Sequence, residues 1–268
     1  MRNLTFITGI LFVFFMLPTD SNAGWIIRYK SYDTDTEQVV NYLIYIEDNM
    51  VKQVTNDLVT IFDLNDNRVT FLRPEIHMYW SGTLEEYWEE VNRTLKLMIE
   101  IEVEKLPEDQ QEQARKLFQN MMKIMEDPDT SSVLDVFIRE TAEKDTIIGY
   151  EVLKYQVFLN GVLKEDIWIA ENLNTLPNLD LRKFVNFQRK LSEGFENELF
   201  YQATDEYGRI LDDYFILKTK DYQYGYQTVN EVVEMREEDF DISEFLPPSN
   251  YKTVSLSELG LIDSGEEE

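Results

Sequence analysis

The sequence predicts an α+β protein: a curved antiparallel sheet in the form of an open half-barrel, with helices covering its concave face and an inserted helical hairpin. Three observations predict it. Short alternating segments separated by Asn/Asp turns occupy residues 25–79, which is typical of an antiparallel meander. Apolar residues at steps of three and four follow within residues 83–127, as in amphipathic helices. Strand-like alternation then returns on both sides of Asn160-Gly161.

Residues 1–23 have the pattern of a secretory signal peptide. Arg2 gives a basic start, and Leu4–Leu17 form an apolar run of about 14 residues. A helix that spans a bilayer needs roughly 20 such residues, so a membrane anchor is the less favoured interpretation. Ser21-Asn22-Ala23 places small residues where a signal peptidase reads. We therefore expect cleavage after Ala23 and export to the periplasm or the cell exterior, and we do not expect an integral membrane protein.

The amino-acid composition excludes several classes of chemistry and partner. The 268 residues include no cysteine and carry a formal net charge of −27. Without cysteine, disulfides and thiol catalysis are excluded. The negative charge repels nucleic acid and anionic membrane surfaces, so neither is an expected partner. Hydrophobic residues make up 43% of the chain and aromatic residues 13%, which is the composition of a folded protein with a core.

Four strands are predicted in the first part of the chain. The segments YLIYI, MVKQVT, LVTIFDL and RVTFLR are separated by the turns EDN, ND and NDN. Pro74 ends the fourth strand, because proline cannot donate a hydrogen bond to the ladder.

A helical hairpin is predicted as an insertion at residues 83–127. Thr83 and Glu86 form a capping-box pattern, and Pro107 suits the first turn of a second helix. The apolar stripe of the first helix is Leu84, Trp88, Val91, Leu95 and Met98, and that of the second is Ala114, Phe118, Met121 and Met125, widened by Leu117, Met122 and Ile124.

The sheet resumes after this insertion. VLDVFIRE is predicted as a strand, and residues 149–170 as a hairpin. NLDLRKFVNFQRKLSEG is a helix pattern that stops at Gly194. NELFYQAT, RILDDYFILKTK and YQTVNEVVEMRE are predicted as three more strands, the first two joined by a turn at DEYG. One sheet of about eight or more strands buries its faces better than two thin sheets, so residues 24–268 are interpreted as a single domain with a disordered acidic tail at 262–268.

The hairpin at 149–170 is apolar on both faces over part of its length. Leu153, Tyr155 and Val157 lie on one face of its first strand, and Val152 and Phe158 lie on the other. A sheet with one wet face alternates cleanly. We therefore expect something to cover the second side: the inserted helices, a bound apolar molecule, or both.

The same hairpin resembles a known family. Gly149-Tyr150, Lys154-Tyr155, Asn160-Gly161 and Trp168-Ile169-Ala170 are similar to the central hairpin of the superfamily of LolA and LolB, the lipoprotein carriers, and most closely to that of its secreted bacterial members of unknown function. FLPPSNYK is similar to the phenylalanine-proline-tyrosine element that often closes such domains. The resemblance implies an open half-barrel with helices across a hollow, which in the carriers holds lipoprotein acyl chains. The insertion at 83–127 departs from the family, and no functional residue of the carriers has a clear match in this chain.

The candidate ligand-binding residues would line an apolar hollow between the sheet and the helices. They are Tyr155, Val157, Trp168, Trp88, Phe118, Met121, Met122 and Met125. Methionine side chains repack around irregular apolar partners, which suits an adaptable lid. The alternative for all of these residues is an ordinary core between helix and sheet.

No catalytic residue, metal ligand or cofactor is predicted. His77 is the only histidine, and it lacks a partner of its kind for metal binding. DLNDN begins like a calcium loop, but Arg68 occupies the position that requires glycine. The carboxylate pairs carry no information in so acidic a chain; they are Glu85/Glu86, Glu165/Asp166 and Asp212/Asp213.

Functions from three classes stay open. The preferred one is a non-enzymatic envelope binding protein that shelters an acyl chain, another lipid or a lipoprotein moiety. The second is an interaction or assembly module that docks another envelope protein and has a fully packed core. The third is a hydrolase, which would need two carboxyl groups facing each other in a polar cleft. The sequence identifies neither a ligand nor an oligomeric state.

Overall fold

The computed structural model describes residues 24–34, 36, 38–55, 57–126, 135–171, 173, 178–192, 198–223 and 226–262. The predicted signal peptide at 1–23 lies outside these ranges, as do Asp127 at the end of the predicted insertion and all but the first residue of the predicted tail at 262–268. Within the ranges, no helix combines the length and the hydropathy that a membrane crossing requires.

Twelve strands and four α-helices form the framework of these residues. The strands are β1 Gly24–Asp33, β2 Val39–Glu47, β3 Met50–Val54, β4 Val59–Asp63, β5 Arg68–Arg73, β6 Met78–Thr83, β7 Val136–Ile147, β8 Tyr150–Leu159, β9 Val162–Ala170, β10 Phe215–Gln223, β11 Tyr226–Glu238 and β12 Lys252–Thr253. The helices are α1 Leu84–Glu104, α2 Glu108–Glu126, α3 Leu181–Leu191 and α4 Asp205–Asp213. Short 3-10 helices occupy Pro74–Ile76, Glu198–Ala203 and Ile242–Phe245.

All twelve strands belong to one sheet, in the order β12-β6-β5-β4-β3-β2-β1-β11-β10-β9-β8-β7. Neighbouring strands are antiparallel except β12 and β6, which pair in parallel. The sheet is curved and does not close into a barrel. The predicted curved, open and mostly antiparallel sheet with helices is therefore confirmed.

The pairing of β1 with β11 joins two halves of this sheet. The two strands are in register from Gly24 opposite Glu238 to Asp33 opposite Thr228, with one irregularity between Arg28 and Tyr29. The meander β2–β6 continues from β1, and the strands β7–β10 continue from β11. Segments from opposite ends of the described chain thus share one continuous hydrogen-bonded ladder.

Helices α1, α3 and α4 lie on one face of the sheet, which we call the helical face, and α2 packs on α1. The largest core cluster forms there, where α1 contributes Leu84 and Val91 and the sheet contributes Phe62 and Val69. On α3, Phe184 and Phe187 meet Phe62 edge to face, with ring centroids 5.2 and 5.9 Å apart. Such aromatic contacts stabilise the packing beyond simple area burial.

A second cluster on the same face lies beneath α4. Tyr207 and Leu211 of α4 pack on Val157, Ile167 and Ile169. Ala170, which follows Ile169 in β9, is also fully buried. Successive strand residues point to opposite faces, so the predicted hairpin is covered on both sides, as its apolar pattern indicates.

The opposite face of the sheet is also covered over β3–β5. Phe245 of the last 3-10 helix packs on Met50, Ile61 and Leu72. The Lys52 ammonium donates to the Glu244 carbonyl oxygen at 2.9 Å and fixes that helix to β3.

One part of the sequence interpretation is wrong. NELFYQAT and the start of RILDDYFILKTK were expected to be strands, but a 3-10 helix at Glu198–Ala203 and α4 occupy these residues, and β10 begins only at Phe215. The DEYG segment, expected to be a turn, is the first part of α4. The physical reason is the N-cap: the Thr204 hydroxyl oxygen accepts a hydrogen bond from the Tyr207 amide, which starts a helix. Tyr207, Ile210 and Leu211 then pack against the sheet at helical spacing.

The helix signals that precede this segment are confirmed. Thr83 and Glu86 form both hydrogen bonds of a capping box at the start of α1, and Asp180 caps α3. Glu90 of α1 then links three elements: its Oε2 accepts from the Trp80 indole at 2.6 Å, and its Oε1 accepts from the Leu256 amide at 2.6 Å. One carboxylate therefore connects α1, β6 and the C-terminal segment.

Replacing Glu90 by Ala should destabilise the fold. The change leaves the Trp80 indole and the Leu256 amide without their acceptor, and losing the partner of a buried donor costs about 1–3 kcal/mol each. We expect the free energy of unfolding, measured in urea by tryptophan fluorescence, to fall by about 2–4 kcal/mol. Glu89→Ala changes an exposed neighbour on the same helix and should have little effect. Equal losses in the two variants would contradict the linking role of Glu90.

Candidate functional site

Strand β9 carries two adjacent acidic residues that are both buried. Glu165 is 0% exposed and Asp166 is 2% exposed. Because neighbouring strand residues point to opposite faces, one carboxyl group enters each side of the sheet. Burying a charge is unfavourable unless it is paired or neutralised, so the partners of each group decide its role.

Asp166 has partners that satisfy it. Its carboxylate lies 3.1 Å from the Lys154 ammonium and accepts hydrogen bonds from the Tyr222 hydroxyl at 2.6 Å and the Gln156 amide at 3.2 Å. Lys154 also pairs with Glu143 at 3.2 Å. Asp166 is thus a neutralised, structural charge on the face opposite the helices.

Glu165 enters the helical face and meets tyrosines instead of a cation. Its Oε2 accepts hydrogen bonds from the hydroxyl groups of Tyr201 at 3.0 Å and Tyr207 at 3.1 Å. Its Oε1 is buried and accepts no hydrogen bond within the structure's described ranges. Burial and, to a lesser extent, the charge of Asp221 raise the pKa of the Glu165 carboxyl to about 8, although the two tyrosine hydroxyls and the nearby Gln202 amide oppose the shift.

Asp221 is the cross-strand neighbour of Glu165. The two residues are register partners on β10 and β9, which places their Cβ atoms about 5 Å apart on one face. Asp221 is half-buried, and burial raises the pKa of its carboxyl to about 6. Two carboxyl groups therefore share the helical face without a neutralising charge between them.

Tyr42 completes the arrangement from the other half of the sheet. Burial and the negative charge of Asp221 raise the pKa of the Tyr42 phenol to about 12. Its ring stacks on that of Tyr29, with centroids 5.1 Å apart and planes 3° from parallel. Both rings are half-buried. We call Glu165, Asp221, Tyr201, Tyr207 and Tyr42 the acid–tyrosine site.

The nearest basic residues of β10 point away from this site. Lys218 and Lys220 are register neighbours of Trp168 and Asp166, so they lie on the opposite face. The Lys218 ammonium pairs with Glu231 at 2.9 Å and lies 5.1 Å from the centre of the Trp168 ring. Lys220 lies 5.1 Å from the Tyr222 ring. The alternation of β10 thus separates its cations from the acid–tyrosine site.

A small cavity lies beside the site, between α3 and α4. Its volume is about 40 Å³, and Arg182, Asn186, Gln202 and Thr204 are among the residues that line it. Such a volume has room for a water molecule but not for an organic ligand. A ligand would therefore reach the site from the half-exposed side, at Asp221 and Tyr42.

The structure separates the residues that the sequence proposes for an apolar hollow. Tyr155 and Val157 belong to the cluster beneath α4. Trp168 points to the other face, where Lys154 and Lys218 lie 5.4 and 5.1 Å from its ring centre. Trp88 packs against the first cluster and donates its indole hydrogen to the Lys190 carbonyl oxygen at 2.8 Å.

The other four predicted hollow residues lie in the second half of α2. They are Phe118, Met121, Met122 and Met125, and their side chains are outside the described part of the structure. Among the four that are described, Tyr155 and Val157 belong to the cluster beneath α4, whereas Trp88 and Trp168 both pack against the first cluster.

Sequence reasoning missed the acid–tyrosine site. The Glu165/Asp166 pair nevertheless carries a signal in the sequence: two adjacent acids inside a strand that is apolar on both faces must both be buried. No local pattern places Asp221 beside Glu165 or Tyr42 near Asp221, because these residues lie on strands whose neighbours are decided by the whole sheet.

The site does not have the composition of a metal centre. No group of three or more His, Cys, Asp or Glu side chains suited to a metal ion occurs among the residues with described positions. Two carboxyl groups and tyrosine hydroxyls can instead bind a proton, donate or accept hydrogen bonds, or pair with an organic cation.

No family model matches the chain, and no curated protein does. Among solved structures, PNGF-II resembles it in two crystal forms, at 10% and 11% sequence identity with a TM-score of 0.38 in both; the match covers 89% and 90% of this chain but only 32% and 34% of PNGF-II. The chain thus spans about a third of PNGF-II.

A third structure is a Vibrio parahaemolyticus domain provisionally assigned as an outer membrane lipoprotein-sorting protein. Its identity to this chain is 8%, its TM-score is 0.26, and the match covers 85% of this chain and 91% of the domain. TM-scores this low carry no argument about function. The resemblance to the lipoprotein carriers therefore stays a prediction.

Glu165 should make the fold less stable as the pH rises. Its folded pKa of about 8 exceeds the ordinary value of 4.5, so the unfolded chain loses this proton first. The stability from Glu165 is complete below about pH 4.5 and declines through pH 8, by at most about 1.4 kcal/mol per pH unit.

Glu165→Gln removes this titration and should flatten the slope of unfolding free energy against pH between about pH 5 and pH 8. Urea unfolding at several pH values measures it. Glu151→Gln, an exposed change on β8, is the control and should keep the original slope. An unchanged slope in Glu165→Gln would show that Glu165 titrates normally.

Proposed function

We propose that the chain is an exported, non-enzymatic binding protein that holds a small ligand at the acid–tyrosine site on the helical face of its sheet. The observation that carries the proposal is Asp221. This half-buried carboxyl group has a buried acid as its cross-strand neighbour and makes no hydrogen bond or ion pair with the described residues around it. A polar group in such a position is unfavourable until a partner satisfies it.

Export is supported by the sequence of residues 1–23, which has the basic start, apolar run and small-residue end of a signal peptide. Cleavage after Ala23 and a periplasmic or extracellular location follow from that pattern and form part of the proposal.

The two carboxyl groups alone do not favour a hydrolase. A hydrolase of the two-carboxylate type needs both groups to reach the scissile bond from a cleft. Glu165 is 0% exposed and lies beneath Tyr201 and Tyr207, so a substrate cannot contact it directly. The arrangement suits a site in which Asp221 contacts the ligand and Glu165 adjusts the charge beneath it.

Carriage of an acyl chain, another lipid or a lipoprotein moiety has less support from the described side chains. Tyr155 and Val157 pack in the cluster beneath α4, and Trp88 and Trp168 pack against the first cluster. Docking of another envelope protein would use the helical hairpin, where Leu97 and Leu117 are each 60% exposed. Singly exposed leucines are common on protein surfaces.

The proposal is tested with the full chain exported from a bacterial host and purified without organic solvent. Native mass spectrometry should show an additional, non-covalent mass that is absent under denaturing conditions. Asp221→Asn keeps the shape of the side chain but removes its charge, so this mass should be lost. Asp213→Asn removes the same charge from an exposed site on α4 and should retain it.

Two results would contradict the proposal. One is the absence of any bound mass in the unaltered protein. The other is a mass that persists in Asp221→Asn and whose solvent extract contains an acyl chain, which would favour the lipid carrier instead. A double variant, Leu97→Ser with Leu117→Ser, tests the helical hairpin. If it retains the bound mass, the hairpin does not form the binding site.

A further inference from the structure

The acid–tyrosine site also indicates which chemical class of ligand it accepts. We propose that it recognises an ammonium group, so that the ligand is a small organic amine. This inference rests on the proposed binding function and adds the identity of the recognised group.

The first argument is the charge of the site. Glu165 and Asp221 are direct cross-strand neighbours, and the basic side chains of β10 lie on the opposite face. Like charges this close disfavour each other's ionisation, and a cation bound at Asp221 opposes that effect. A neutral ligand could satisfy hydrogen bonds here but could not remove the repulsion.

The second argument is the unsatisfied oxygen of Glu165. The side chain is completely buried, Oε2 is occupied by two tyrosine hydroxyls, and Oε1 accepts no hydrogen bond from the described chain. An ammonium group at Asp221 carries three donors, so it can bind the Asp221 carboxylate while it lowers the electrostatic cost of ionising Glu165.

The third argument is the aromatic surroundings. The parallel rings of Tyr29 and Tyr42 are half-buried and belong to the same face as Asp221, and the Tyr42 phenol is close enough to Asp221 for its charge to act on it. Aromatic ring faces attract organic cations. A divalent metal ion is the less suitable cation, because the described residues offer no group of three metal-ligating side chains.

Titration of the same groups predicts how binding depends on pH. The ammonium pairs with the ionised Asp221 carboxylate. The titratable groups around that carboxylate are its buried neighbour Glu165, the Tyr201 and Tyr207 hydroxyls bonded to Glu165, and the Tyr42 phenol. The pKa values of Asp221 and Glu165 are raised to about 6 and about 8, while the tyrosine pKa values are raised above their usual range. Affinity for an amine should therefore increase from about pH 5 to about pH 8 as the two carboxyl groups lose their protons.

The experiment titrates the exported chain with n-butylammonium chloride and, as a matched probe, with 1-butanol. Amide chemical shifts are followed by NMR at constant ionic strength. Butylammonium should bind about tenfold more tightly than butanol, with shifts centred on Glu165, Asp221 and Tyr42. Asp221→Asn should weaken amine binding about tenfold, whereas Asp213→Asn, which changes the net charge equally, should leave it nearly unchanged.

Several outcomes would overturn the inference. They are equal binding of the alcohol and the amine, equal weakening by Asp221→Asn and Asp213→Asn, stronger binding of calcium chloride than of the amine, and affinity that does not rise with pH in the unaltered protein. The last measurement needs no variant, so a misfolded Asp221→Asn protein does not prevent the test. A co-purified ligand at Asp221 that lacks an amino group would overturn this inference and leave the proposed binding function intact.

Discussion

The hydrogen-bond ladder between β1 and β11 is the constraint on which the rest of the structure depends. It joins a meander from the start of the described chain to strands that come after the helical insertion. Without it, Tyr42 on β2 and Asp221 on β10 would belong to separate sheets. The ladder also gives the helices α1, α3 and α4 one continuous face to cover. The architecture and the acid–tyrosine site therefore have the same origin.

The two acids of β9 are both buried but have different bonding partners. Those partners, more than burial, distinguish a structural carboxylate from a candidate functional one. Glu165 and Asp166 are adjacent and almost equally buried. Asp166 has a lysine at 3.1 Å, so its charge is compensated within the protein. Within the described part of the structure, Glu165 has two tyrosine hydroxyls and the nearby Gln202 amide as partners but no cation, and these groups solvate a carboxylate without neutralising it. A buried, uncompensated carboxyl group lowers stability when it ionises, and that lost stability is recovered only if a proton or another cation occupies the site.

Local signals in the sequence predict those elements that local interactions decide. The capping box of Thr83 and Glu86, the Asn160-Gly161 turn and the early meander all appear in the structure as predicted. Residues 198–213 are helical although their aromatic and branched residues also suit a strand. The Thr204 cap and packing on Val157 and Ile167 favour the helix over the strand. The acid–tyrosine site could not be predicted, because strand order brings Tyr42 to Asp221 across two intervening strands, and no spacing in the sequence encodes that order.

The net charge of −27 attracts cations towards the site but does not make the site selective. A strongly acidic protein attracts cations to its whole surface, and dissolved salt screens that attraction within about 10 Å. An exposed carboxylate such as Asp213 gains little from pairing with a cation, because water already solvates both groups. Asp221 differs because it is half-buried, beside Glu165 and near the Tyr42 ring, where fewer water molecules compete and the effective dielectric is lower. Specific recognition at this position thus depends on the fold that buries Asp221. The general acidity of the chain only raises the local concentration of cations from which the site selects.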